Sequence, residues 1–302
     1  MKIATAPVNW NNPDVPEYRP WTRGPALLDA FVEAGYTATE RCASMPKDAQ
    51  QLKADLDKRG LTLLGAFVGV AFRDSDQRDA DMTKALEIAS WLQQVGASYL
   101  IVADSGDDRR RAEGGHVDPA SSLSEAAWRS LATGLEQLAR AVAPLGLQVV
   151  FHNHVGTYVE TPDEIARLLD YTDPALVGWC LDCGHVAYGG GDTQELLQRY
   201  GNRVAYVHIK DVDRTVLARA RAEQWHFHTA LKHYIFAPLG QGSVGIPEVI
   251  TALRDNGYDG WFVIEQDTTP NDPTQTARAN RQYLEQVLAR VSAMPGARGA
   301  RS

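Results

Sequence analysis

Residues 147–161 read LQVVFHNHVGTYVET, with Gly146 before them and Thr161-Pro-Asp-Glu164 across their end. Glycine suits the left-handed conformation that closes many helices. Leu147 to His154 is an apolar, β-branched run of strand length. Thr161 and Glu164 have capping-box spacing, in which the Thr oxygen accepts a backbone N–H and the Glu reaches back. The stretch is one repeating unit: helix stop, strand, loop, helix start. Its strand ends unusually, with His152 and His154 two residues apart and Glu160 just ahead of the next helix.

Worked outward, the same unit recurs along the chain. Strand-like runs cover 2–10, 37–42, 61–69, 98–105, 147–154, 177–185, 204–211 and 261–267. Helical patterns such as ALLDAFVEAG and DMTKALEIASWLQQVG lie between them. Gly35, Gly60, Gly96, Gly146 and Gly257 stand at helix ends, and Asp192-Thr-Gln-Glu195 repeats the capping-box pattern. Eight βα units in 302 residues predict a single (β/α)8 TIM barrel over 1–292, followed by a disordered tail over 293–302. A doubly wound sheet fits less well. It needs no eighth similar strand and carries a Gly-rich phosphate turn near its start, whereas Gly189-Gly190-Gly191 follows the sixth strand with the wrong spacing.

Two segments break the repeat: the charged loop 106–121 after strand four and the insertion 212–245 after strand seven. Long βα-loops of a barrel lie on its catalytic face, so both are lid candidates. For the second, a homo-oligomer contact is an equal expectation.

The formal net charge of −8, with scattered Lys and Arg, argues against a nucleic-acid partner, which requires a basic face. No stretch approaches bilayer-spanning length, so no membrane partner is expected and the reading is cytoplasmic. Three cysteines are too few for a disulfide scaffold, and the CLDC pair, Cys180 and Cys183, reads as small buried hydrophobes.

Barrel active sites occupy the C-terminal rim of the strands. Strand two offers Glu40 there, strand five His152 and His154, and strand six Asp182 and then His185. Strand seven offers His208, Lys210 and Asp211, and strand eight Glu265 and Asp267. Taken singly, Asp182 could cap a helix, His208 could be a satisfied core histidine, and Glu160 could favour a helix N-terminus. Five strands sending ionisable groups to one rim is hard to explain as packing, because unpaired buried charge is costly. Asp182, Glu265 and His208 together suit a divalent metal. Their mixed oxygen and nitrogen character favours Mn²⁺ or Co²⁺, with Zn²⁺ next, over Ca²⁺.

The motifs APVNW (6–10), GYTATE (35–40), FHNHVGTYVET (151–161), LDCGH (181–185), GGGD (189–192), VHIKD (207–211), APLGQGSV (237–244) and GWFVIEQD (260–267) resemble the xylose-isomerase-like barrels. Within that group of metal-dependent sugar isomerases and epimerases, the chain is similar to the inosose dehydratases. The resemblance implies Asp182, His208 and Glu265 as metal ligands. The usual fourth ligand of the group is a Glu at the end of strand five, where this chain has His152. Either His152 replaces it, or Glu160 folds back to supply the carboxylate. The second option is preferred here, since it keeps the ligand chemistry and frees both imidazoles.

The expected activity is metal-dependent dehydration of a keto-cyclitol such as 2-keto-myo-inositol: proton removal α to the ketone, then β-elimination of water. His154 or His152 would transfer the proton and Lys210 would steady an oxygen, the alternative for Lys210 being a buried ion pair. Glu40, Trp10, His185 and Asp267 would line the substrate pocket. A ketose epimerase or isomerase is the alternative activity, and an inert sugar-binding barrel ranks third.

Overall fold

The structure is a computed structural model describing residues 2–294. Eight parallel strands form a closed barrel: β1 Lys2–Thr5, β2 Ala38–Arg41, β3 Thr62–Val70, β4 Tyr99–Asp104, β5 Gln148–His152, β6 Val177–Asp182, β7 Val204–Ile209 and β8 Trp261–Ile264. Each strand pairs with its sequence neighbours, and β1 closes the ring on β8 through Lys2↔Trp261 to Thr5↔Ile264. The expected TIM barrel is the fold. The final helix runs Pro273–Ala293, so Ala293, assigned above to the tail, is helical; residues 295–302 lie outside the described span.

Alternation along the strands builds two cores. Leu63, Leu100, Val149 and Val207 face the helices in the large outer cluster. Ala4, Ala38, Leu64, Ile101, Val150, Cys180, Tyr206 and Val263 fill the barrel interior. The outer helices answer with apolar stripes at helical spacing, as in Glu125–Val142, which buries Trp128, Leu131, Leu135, Leu138 and Val142. Gly134 interrupts that stripe for a reason: a Cβ there would meet the Phe72 ring at 2.7 Å. The five glycines placed at helix ends all have positive φ, between 65° and 92°.

Several strands stop earlier than the sequence suggests. β1 ends at Thr5, and Pro7–Asn9 is a 3-10 turn. β6 ends at Asp182, whose Oδ1 accepts the His185 N–H at 2.8 Å and starts the helix Cys183–Tyr188. Cys183 is thus helical rather than part of a strand, while Cys180 belongs to the interior layer; both are buried and free. The Thr161–Glu164 capping box is present. At Asp192 the side chain caps Gln194 N instead, without the reciprocal Glu195 bond.

The two irregular segments are partly helical. Residues 106–121 contain the helix Asp108–Glu113 and a 3-10 turn at Pro119–Ser121. The 212–245 insertion holds helices Arg214–Ala222 and Phe227–Lys232 and a two-stranded antiparallel ribbon, Asp211–Val212 with Phe236–Ala237. Among the described residues, no helix is long and apolar enough to cross a membrane.

Candidate metal centre and active site

The strand period that fills the barrel also builds its rim. Two positions beyond the interior residues Ala38, Val150, Cys180, Tyr206 and Val263 stand Glu40, His152, Asp182, His208 and Glu265. All five are buried. One ligand atom each from His152, Asp182, His208 and Glu265 lies within 4.8 Å of the others. His208 Nδ1 is 3.4 Å from Glu265 Oε2 and 3.9 Å from Asp182 Oδ2, and His152 Nε2 is 3.5 Å from the same Asp182 oxygen. Both ring nitrogens of His152, Asp182 Oδ2 and His208 Nδ1 are buried without a hydrogen-bond partner. Unpaired buried polar atoms are costly, and three of these, one His152 nitrogen, Asp182 Oδ2 and His208 Nδ1, belong to one set of ligand atoms. A divalent cation satisfies that donor set, so the residues fit a metal.

The structure does not bring Glu160 to this group. Its Oε1 accepts the Gly115 N–H and its Oε2 the Gly156 N–H, each at 2.6 Å. Burial pushes the carboxyl up to about 7, against the lowering effect of those two amides. Glu160 thereby ties the loop after β4 to the loop after β5. Arg110, wholly buried, reinforces the tie by donating to Thr157 O and Glu164 Oε2, both at 2.8 Å. The fourth position of the cluster is taken by His152.

Charge at the rim is concentrated around Lys210. Its Nζ lies 2.8 Å from Asp267 Oδ1, 3.0 Å from Glu265 Oε2 and 3.5 Å from Asp182 Oδ2. Burial alone would lower the ammonium, but the three carboxylates override it and hold Lys210 well above its ordinary range. The ion pair considered above thus exists, with these three carboxylates. Asp211 instead accepts the Gly240, Gly242 and Val244 amides. Burial would likewise raise Asp182; Lys210, His185 and His152 outweigh it and hold that carboxyl well below its usual range. Desolvation lowers His152 to about 4, which keeps that imidazole neutral, whereas at His208 burial is outweighed by Glu265 and Glu40, which raise the ring to about 9.

His154 stands just past the end of β5 and packs against His185, ring centroids 4.0 Å apart and the planes tilted by 37°. Its Nδ1 is 2.7 Å from Val155 O. A carbonyl only accepts, so Nδ1 carries the hydrogen and Nε2 is the basic nitrogen. His185 reaches the centre through Lys210, with Nε2 and Nζ 3.2 Å apart.

A cavity of about 470 Å³ opens over the cluster, lined by Glu40, His152, His154, His208, Lys210, Glu265 and Asp267. Trp10 is not part of it. Its ring packs edge-on against Phe31 at 4.9 Å and its Nε1 donates to Thr274 Oγ1, so it is a core residue. Asp14, Trp21, Phe67, Arg111, Phe227 and His228 do line the cavity, and none was singled out from sequence. Phe67 alone had a signal, its place near the C-terminal end of β3; the others sit on loops and insertions, where no period reports direction.

The fold and this rim define a class: residues 28–287 match the family model "xylose isomerase-like TIM barrel", and the chain belongs to that family. Among individual relatives, the chain is 35% identical to the inosose dehydratase of Geobacillus kaustophilus, over 95% of each protein. It is 33% identical to the rhizopine catabolism protein MocC of Rhizobium meliloti, covering 99% of this chain and 90% of that one. The crystal structure of the IolI protein with a bound zinc atom superposes with a TM-score of 0.72 at 15% identity, covering 97% of this chain and all of that one, a likeness of fold.

Proposed function

We propose that this protein is a metal-dependent dehydratase of a keto-cyclitol such as 2-keto-myo-inositol, with the ion held by His152, Asp182, His208 and Glu265. One observation carries the reading: unpartnered buried ligand atoms lie under a cavity in a chain this similar, end to end, to an inosose dehydratase. Mn²⁺ or Co²⁺ suits two carboxylates with two imidazoles, and Zn²⁺ is the next candidate. A divalent ion supplies positive charge where a ketone oxygen becomes negative.

The chain's own groups then handle the proton. His154 is the assigned base, because its Nε2 is free and its ring lines the cavity. It takes the α-hydrogen as a proton, and the C–H electron pair becomes the new C=C bond as the β-C–O bond breaks. The imidazolium can return that proton to the departing hydroxyl, so that water leaves and the proton count closes. Lys210, fixed between Glu265 and Asp267, presents an ammonium that orients a substrate oxygen. Asp267 holds that ammonium, and His185 holds the face of His154.

The test is incubation with 2-keto-myo-inositol in heavy water, with products read by NMR and mass. The expected result is loss of water to give the enol of a 1,2-dione, which ketonises to the deoxy-dione with solvent deuterium at the former β carbon. A stereoisomer of unchanged skeleton carrying solvent deuterium at carbon, with no dehydration, would overturn the lyase in favour of an epimerase.

A further inference from the structure

Glu40 lies in β2, two residues beyond the interior residue Ala38, and is buried. Its Oε1 has two partners, the Tyr206 hydroxyl at 2.9 Å and His208 Nε2 at 2.8 Å. A carboxylate oxygen accepts, so the hydrogen sits on His208 Nε2. A neutral imidazole protonated there has its lone pair on Nδ1, the nitrogen 3.4 Å from Glu265 and 3.9 Å from Asp182 that has no hydrogen-bond partner. Tyr206 is itself an interior residue of the barrel, packed against Tyr99 with ring centroids 4.7 Å apart. The hydroxyl that steadies Glu40 is therefore placed by barrel packing.

We infer that Glu40 is a positioning residue for His208, fixing the tautomer and ring angle that turn Nδ1 toward the metal cluster, with Tyr206 holding Glu40 in place. The inference rests on the metal-site part of the proposed function. It separates Glu40 from the substrate-contact role that its place in the cavity wall first suggests. Carboxylates behind ligating histidines raise ligand basicity and lock orientation, and their loss costs about 10–100-fold in metal affinity or activity.

The experiment titrates Mn²⁺ into the parent and into Glu40→Ala, Glu40→Gln and Tyr206→Phe by calorimetry, and records Co²⁺ absorption spectra of the same proteins. Glu40→Ala should bind Mn²⁺ about 10–100-fold more weakly, with an altered Co²⁺ spectrum. Glu40→Gln should lose less, because its amide oxygen still accepts from Nε2–H. Tyr206→Phe should shift affinity in the same direction by a smaller factor. If Glu40→Ala does not fold, the Gln and Phe variants, checked by circular dichroism, carry the comparison. Parent-like Mn²⁺ affinity and Co²⁺ spectra in the folded variants, with change confined to KM, would overturn the inference and make Glu40 a substrate contact. A parent that binds no divalent metal overturns it as well. Affinities ranked as expected in a chain that does not dehydrate the keto-inositol support the inference and sink the activity reading alone.

Discussion

Replacing Glu160 by Gln probes the one rim carboxyl whose chemistry and position disagree. In the folded chain burial outweighs its two amide donors and pushes this carboxyl up to about 7, against an ordinary value of 4.5. The folded state therefore binds its proton more tightly than the unfolded state does, and stability falls as pH rises between those two values. The gap of about 2.5 units corresponds to roughly 3 kcal/mol, fully present as a cost above pH ~7 and absent below pH ~4.5. Gln resembles the protonated acid but turns an NH₂ toward one of the two amide N–H groups, losing a hydrogen bond worth about 1 kcal/mol. Glu160→Gln should therefore be about 1 kcal/mol less stable than the parent near pH 4 and about 2 kcal/mol more stable near pH 8. Urea unfolding at both pH values measures this, and groups common to both proteins cancel in the difference. Mn²⁺ affinity should stay within a few-fold of the parent, since the carboxylate is committed to Gly115 and Gly156. A stability difference that ignores pH would refute the burial argument. A loss of Mn²⁺ affinity beyond that of His152→Gln would refute the placement of Glu160 outside the ligand set.

Further outcomes follow from the same geometry. His152→Gln should weaken Mn²⁺ binding by at least ~10-fold in calorimetric titrations while the far-ultraviolet spectrum stays parental; unchanged binding would remove it from the cluster. His154→Ala should slow dehydration by about 100-fold or more with metal content unchanged, the usual scale for losing one acid/base group, and parent-like turnover would reassign the base. Trp10→Ala should cost about 3–5 kcal/mol in denaturant unfolding, as expected for truncating a buried aromatic, with KM held near the parental value; a selective rise in KM would return Trp10 to the substrate pocket.

The barrel was legible because its signal repeats. Apolar strand runs, glycines at helix ends and capped helix starts recur with one spacing, and the left-handed glycines stand where expected. Strand ends were less legible. The apolar run at LDCGH continues past the strand, since Asp182 both faces the cluster through Oδ2 and starts a helix through Oδ1. Sequence reasoning treated capping and ligation as alternatives for this residue, yet a carboxylate has an oxygen for each. Trp10 misled for the opposite reason: β1 stops at Thr5, so strand parity no longer reports where its ring points.

The choice between His152 and Glu160 shows what governs such a site. Chemical likeness favoured the carboxylate, because a Glu keeps the usual ligand type. Position decides otherwise. His152 is the last residue of β5, and its backbone is registered against Cys180 in the barrel sheet, so its side chain inherits the inward direction of Val150 two residues earlier. Glu160 lies beyond a loop, where nothing fixes direction except local partners, and the Gly115 and Gly156 amides engage both of its oxygens. A rim group set by sheet register is predictable from parity alone. A group carried on a loop belongs to whichever donors reach it, and the donor from Gly115 comes from a segment 45 residues away in the chain.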